Sequence, residues 1–148
     1  MSLYVMWINL IKEKAAETWL TPSQRQVYDA LLTRWQSHPF LNLHGPPGSG
    51  KTFVARLLAR QHGYVYIQHL AEAPHSAPQV ILDDADYSRA LRPLVLEMNL
   101  GRVVLITERP LREAMPRIEL KLGLRDVHQF CANLSELCGI TLTHTLPE

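Results

Sequence analysis

The chain predicts a three-layer α/β fold, helices packed on a five-stranded parallel sheet, and three observations carry that expectation. Short apolar segments of strand length alternate along the chain with longer stretches of helical period, the pattern that builds parallel sheets through crossover helices. One junction, His44-Gly45-Pro46-Pro47-Gly48-Ser49-Gly50-Lys51-Thr52, fits G-x-x-x-x-G-K-[ST] and lies between an apolar run and a helical pattern. A later run, Gln79 to Leu82, ends in Asp83 and Asp84, as a central parallel strand with carboxylates at its C-terminal tip would.

The glycine-rich junction is suited to phosphate. Glycines at 45, 48 and 50 let the backbone turn so that successive N–H groups point inward, and the following helix adds its unpaired N–H groups and positive dipole end. The fold is therefore expected to be that of a P-loop NTPase. Gly45, Pro46, Pro47, Gly48, Ser49, Gly50, Lys51, Thr52 and Phe53 are the expected nucleotide-binding residues. Within them Lys51 reaches the β- and γ-phosphates and the Thr52 hydroxyl takes a place on Mg²⁺. Asp83 is the expected acid on that metal, and Asp84 beside it is placed to orient an attacking water. Asp86 fits a cap on the next helix.

Length and composition bound the reading. The 148 residues make one domain with a real core, and 47% apolar with 20% charged residues is ordinary for a soluble protein. Net charge is +1, so any nucleic-acid contact needs a local patch. The arginines at 89, 92, 102, 109, 112, 117 and 125 leave such contact open. Cys131 and Cys138, seven apart in one helical pattern, suit neither a metal knuckle nor a disulfide and read as core or half-buried thiols. The run Leu3 to Ile8 is too short to span a bilayer and Met1 to Leu10 lacks a basic leader, so a cytoplasmic protein is expected.

Taken in order, residues 2–18 predict an amphipathic helix with Leu3, Trp7, Leu10 and Ile11 on one face, able to cover the domain, meet a partner or lie at a membrane interface. Thr21-Pro22-Ser23-Gln24 is a capping box opening a helix to about Gln36 that buries Val27 or Tyr28, Leu31, Leu32 and Trp35. Phe40 to His44 is the first strand. Lys51 to about His62 is the loop's helix, buried through Val54, Leu57 and Leu58 and closed by Gly63. Tyr64 to Gln68 is the second strand, His69 to Pro78 a loop, and Gln79 to Leu82 the third strand. A helix over about 87–100, ended by Gly101, precedes a strand from Arg102 to Thr107. Thr107 is placed either to sense a γ-phosphate and align water or to satisfy its own turn. Arg117 to Leu122 alternates as a last strand, and a helix from about Arg125 to Cys138 buries Val127, Phe130, Leu134 and Leu137. The division is 1–20 N-terminal helix, 21–122 nucleotide-binding core, and 123–148 helix and tail.

Over about residues 20–142 this order resembles the AAA+ branch of P-loop ATPases, whose sheet order is 5-1-4-3-2. Ile81-Leu82-Asp83-Asp84-Ala85-Asp86 looks most like the Walker B of the bacterial replication initiator and helicase-loader relatives, and Leu105-Ile106-Thr107 with Pro110 is similar to their sensor 1 strand. The likeness implies ATP·Mg²⁺ binding, with Lys51, Asp84 and Thr107 catalytic, and an adenine contact near Gln24 or Gln26. It also implies a trans arginine finger, for which Arg117 and Arg112 are the nearest matches. Three departures stand out: the segment before Walker B is short, the lid is reduced to about one helix, and nothing matches a sensor 2 arginine. The expected activity is slow or partner-dependent ATP hydrolysis by a nucleotide-gated component of a larger assembly, with DNA contact left open. Its partners would be ATP and ADP with a protein or a second copy of the chain. The competing class is a small P-loop kinase acting on a small molecule or nucleoside.

Overall fold

Five short strands form a single parallel sheet in a computed structural model that describes residues 16–34, 39–72, 74, 76–83, 99–112 and 114–138. The elements are α1 (Pro22–Thr33), β1 (Phe40–His44), α2 (Lys51–His62), β2 (Val65–Ile67), β3 (Ser76–Leu82), β4 (Asn99–Thr107), β5 (Arg117–Glu119) and α3 (Leu124–Cys138). Strand order is β2-β3-β4-β1-β5 and every pairing is parallel. Read from the other edge this is 5-1-4-3-2, the order expected of a P-loop NTPase of this type.

Parallel pairing sets all C-terminal strand ends along one edge. His44 pairs with Thr107 on one side and Glu119 on the other, while Leu82 pairs with Leu105 and Ile67. The sequence enforces this because β1, β3 and β4 are near-continuous apolar runs that need cover on both faces. Leu41, Leu43, Ile81, Val104, Ile106 and Ile118 form one layer under α1 and α2, meeting Tyr28, Leu31, Val54 and Leu58. Phe40, Val80, Leu82, Val103 and Leu105 form the opposite layer, with Leu111 and Met115 against it. The residue between Leu41 and Leu43 points to that second layer and is Asn42, fully buried.

Several boundaries differ from the sequence expectation, each for a local reason. The expected loop 69–78 contains a 3-10 turn, Leu70–Glu72, and from Ser76 onward belongs to β3. Pro78 is tolerated inside β3 because β2 joins only from Val80 onward, leaving that side of the strand unpaired. Gly101 does not end a helix: it lies inside β4, where a Cβ would stand 2.4 Å from the Pro78 carbonyl oxygen. A residue lacking an N–H faces one lacking a Cβ, and the ladder resumes at Gln79 with Arg102. The helix expected over 87–100 otherwise lies outside the described residues, as do Trp35 and Gln36. The N-terminal helix expected over 2–18 falls there too, except at its end, where Ala16 is extended and Glu17–Trp19 is one 3-10 turn.

The largest correction concerns α3. Its apolar positions were expected inside, yet Phe130 is 49% and Val127 41% exposed, while Asp126 and Asn133 are buried at 2% and 7%. Polar bonds dock this helix. Asp126 accepts from Ser23 N at 2.8 Å, Ser23 Oγ at 2.7 Å and Gly123 N at 2.6 Å, and Asn133 Nδ2 donates to Trp19 O at 2.9 Å. Leu122, expected to continue the last strand, is partly exposed because the strand pairing ends at Glu119. Cys131 is a half-buried free thiol, as its spacing suggested; the side chain of Cys138 lies outside the description.

Candidate functional site

The glycine-rich loop leaves β1 and returns as the first turn of α2. Gly48 and Gly50 have φ of +78° and +91°, a conformation that other L-residues adopt only with strain. Gly50 is the α2 N-cap, and a Cβ there would also strike the Gln24 amide at 2.2 Å. Ser49 is buried, whereas Pro46, Pro47 and Gly48 are exposed at the rim. The Lys51 ammonium folds over the loop, donating to Gly45 O at 2.6 Å and Pro46 O at 2.9 Å. Burial pushes its pKa below the ordinary lysine value, against the opposing pull of Glu108 and Asp83. The partners of this ammonium are neutral carbonyls, so a charge-assisted bond to an anion would be the stronger one.

Asp83 follows β3, two strands from β1 with β4 between. Strand spacing alone sets those two ends roughly 10 Å apart. The gap is closed by α2, whose Thr52 Oγ1 donates to Asp83 Oδ2 at 2.8 Å. The same carboxylate oxygen accepts a bond from the Tyr66 hydroxyl of β2. Thr52 is exposed and Asp83 half-buried, so the pair lies near the surface rather than in the core. A hydroxyl and a carboxylate side by side at a glycine-rich loop form a hard-oxygen donor pair of the kind that suits Mg²⁺, which keeps waters and takes few protein ligands. No cluster of three or more His, Cys, Asp or Glu occurs among the described residues, so a softer, all-protein metal cage has no donors there.

Thr107 ends β4 beside the loop, its carbonyl accepting from Gly45 N at 3.3 Å. Its hydroxyl donates to Arg109 O at 2.6 Å and accepts from Asn42 Nδ2 at 3.0 Å. Of the two roles open to it in the sequence, these bonds describe the turn-satisfying one. Asn42 also donates to Leu105 O and accepts from Leu111 N, both at 3.0 Å, so one buried amide ties β1, β4 and the following loop together. Arg112 and Arg117 are exposed, and Arg117 lies in a polar cleft with Gln26, Arg34 and Lys121 rather than at the loop. Asp84 lies outside the described residues.

A cavity of about 230 Å³ opens directly off the loop, between Gly48–Gly50 and α3. Trp19, Phe53, Leu122, Val127 and Phe130 give it apolar walls, with Gln24 at its floor. Gln24 is thus brought to the loop while Gln26 is not. The Gln24 side-chain oxygen Oε1 accepts from Thr21 N at 3.1 Å, the capping-box bond. The exposure of Val127 and Phe130 follows from this hollow: their face of α3 borders it instead of the core.

Tyr66, Asn42, Asp126 and Asn133 are the site's neighbours that motif reading misses. Asn42 had a signal, a polar residue in the apolar run Phe40 to Leu43, which burial obliges to find partners. The other three carry none, since only the fold brings Tyr66 to Asp83 and α3 to α1.

Over 61 residues, 40% of the chain, the sequence is 38% identical to Chromosome transmission fidelity protein 18 of Saccharomyces cerevisiae. The chain spans 8% of that protein's length. No family model matches the chain. No described helix is long and apolar enough to cross a membrane.

Proposed function

We propose that the chain binds a nucleoside triphosphate with Mg²⁺, and that it is an AAA+-like ATPase whose hydrolysis is slow or depends on a partner. The observation that carries the reading is the 2.8 Å bond between Thr52 and Asp83, which joins the phosphate loop to the acidic strand tip. The sheet order and the partial similarity to a chromosome transmission fidelity protein support the same type and a nucleotide-gated, DNA-associated assembly.

In this reading the loop N–H groups and Lys51 hold the phosphates, Lys51 leaving the carbonyls of Gly45 and Pro46 for the β- and γ-oxygens. Thr52 and Asp83 would hold the metal, and Mg²⁺ there would supply neutralisation of the charge developing on the transferred phosphoryl group. The base and sugar enter the cavity against Phe53, Val127 and Phe130. Asp84 orients water. Thr107 joins it only if its hydroxyl turns away from Arg109 O, and the two exposed arginines, Arg112 and Arg117, are available to a neighbouring subunit. Without a trans arginine the rate falls by about 10³ to 10⁵.

Calorimetric titration with ATP, in Mg²⁺ and in EDTA, tests the reading. Binding that tightens with Mg²⁺ and weakens about 10- to 100-fold in Lys51→Ala, the loss of charge-assisted hydrogen bonds, is expected. Absence of binding by the wild-type chain overturns it, and turnover by the isolated monomer at ordinary enzyme rates overturns partner dependence.

A further inference from the structure

The Asp83 carboxylate has a second partner that no motif identifies. Tyr66 is the middle residue of β2, paired in register with Ile81, and the next pair is Ile67 with Leu82. The ladder then reaches the acid itself, because Asp83 N donates to Ile67 O at 2.9 Å. The phenol is thereby carried to the strand tip, where its hydroxyl donates to the same Asp83 oxygen that receives Thr52. Its ring is fixed from two sides: it packs against the apolar layer under α2, and the Arg56 guanidinium lies 5.1 Å from its centroid.

We propose that Tyr66 is a positioning residue for the metal, holding the Asp83 carboxylate in the rotamer that faces Thr52; this rests on the metal–nucleotide reading above. A half-buried aspartate at a strand tip has a short side chain and a broad, two-fold terminal torsion. With Thr52 as its one donor, the carboxylate would be held by a single bond and free to pivot toward solvent about that torsion. The phenol prevents that rotation, because it stays a donor to Asp83 whether or not Thr52 is engaged elsewhere. Partners of this outer kind are typically worth about 10- to 100-fold in metal affinity.

The test is the linkage between Mg²⁺ and ATP, read as the ratio of the ATP dissociation constant in EDTA to that in saturating Mg²⁺. Titrations use the full chain, Tyr66→Phe, Asp83→Asn and the double variant, with circular dichroism on each. In Tyr66→Phe the ratio is expected to fall about tenfold at the lower end of that range, with the EDTA constant unchanged. In the Asp83→Asn background the same change is expected to do nothing more, since the phenol acts through that carboxylate. A ratio within about twofold of wild type, an equal loss in the Asp83→Asn background, or an unfolded Tyr66→Phe chain each overturns the assignment; the last makes the phenol a fold determinant. A wild-type chain whose ATP affinity ignores Mg²⁺ instead overturns the site reading beneath it, so the two failures are separable.

Discussion

Asn42 carries more of the strand-end architecture than any motif residue. Its amide serves Leu105 O, Thr107 Oγ1 and Leu111 N from a position with no exposure to water. Asn42→Ala leaves a buried N–H and carbonyl to find other partners, and about 2 to 3 kcal/mol of stability is expected to go, read as a lower urea midpoint at constant slope. Asp126 is the second such residue. Burial works to raise its pKa, but the bonds from Gly123 and Ser23 outweigh it and hold the carboxyl below its ordinary value. The unfolded chain therefore binds this proton at a higher pH than the folded one. The stabilisation is present above the unfolded pKa near 4 and is lost as pH falls through the depressed folded value. Asp126→Asn is expected to lower stability at neutral pH by about 1 to 3 kcal/mol and to flatten the acid limb below about pH 4 in a urea series. An unchanged acid limb would show that other carboxyls set it.

At the scale of elements, two predictions separate packing from site. Gly101 in β4 faces Pro78 in β3 so closely that an added Cβ must push backbone apart. Gly101→Ala is expected to cost on the order of 2 kcal/mol or more, since the atom it would strike is the Pro78 backbone carbonyl oxygen and not a movable side chain; a cost below about 0.5 kcal/mol, that of a neutral surface change, would contradict the observed approach. Phe130 gives the opposite case. Half-exposed and facing the cavity, it is expected to lose only about 1 kcal/mol of stability as Phe130→Ala, far less than a core phenylalanine. Its ATP affinity is expected to fall about three- to tenfold, the worth of one aromatic contact. Equal, large losses of stability would place Phe130 in the core after all. The apolar period of α3 was legible and its direction was not, because Asp126 and Asn133 bond to α1 and its preceding turn, turning the apolar stripe toward the hollow.

At the scale of the molecule, the loop and the acid tip meet inside one chain, whereas the arginines at 112 and 117 are exposed, Arg117 in a polar cleft apart from that loop. Completion of the site by a neighbour is therefore the proposed route to turnover. Mass measured in solution is expected to rise with ATP·Mg²⁺ and to stay constant in Lys51→Ala. A monomer under every condition would transfer the completing role to a different protein.

The sequence by itself determined the order of the strands, the glycine-rich loop after the first of them and the acid at the tip of the third, which the structure brings to that loop's helix. Those follow from local rules: glycine where φ must be positive, apolar runs where both faces of a strand are covered, carboxylates where a strand ends. The tertiary structure alone decided that Tyr66 touches Asp83, that Asn42 occupies the Thr107 hydroxyl, and that α3 lines a cavity rather than filling a core. Each of these is a contact between residues 17 or more positions apart, and no chain periodicity encodes which distant donor a carboxylate or amide will find.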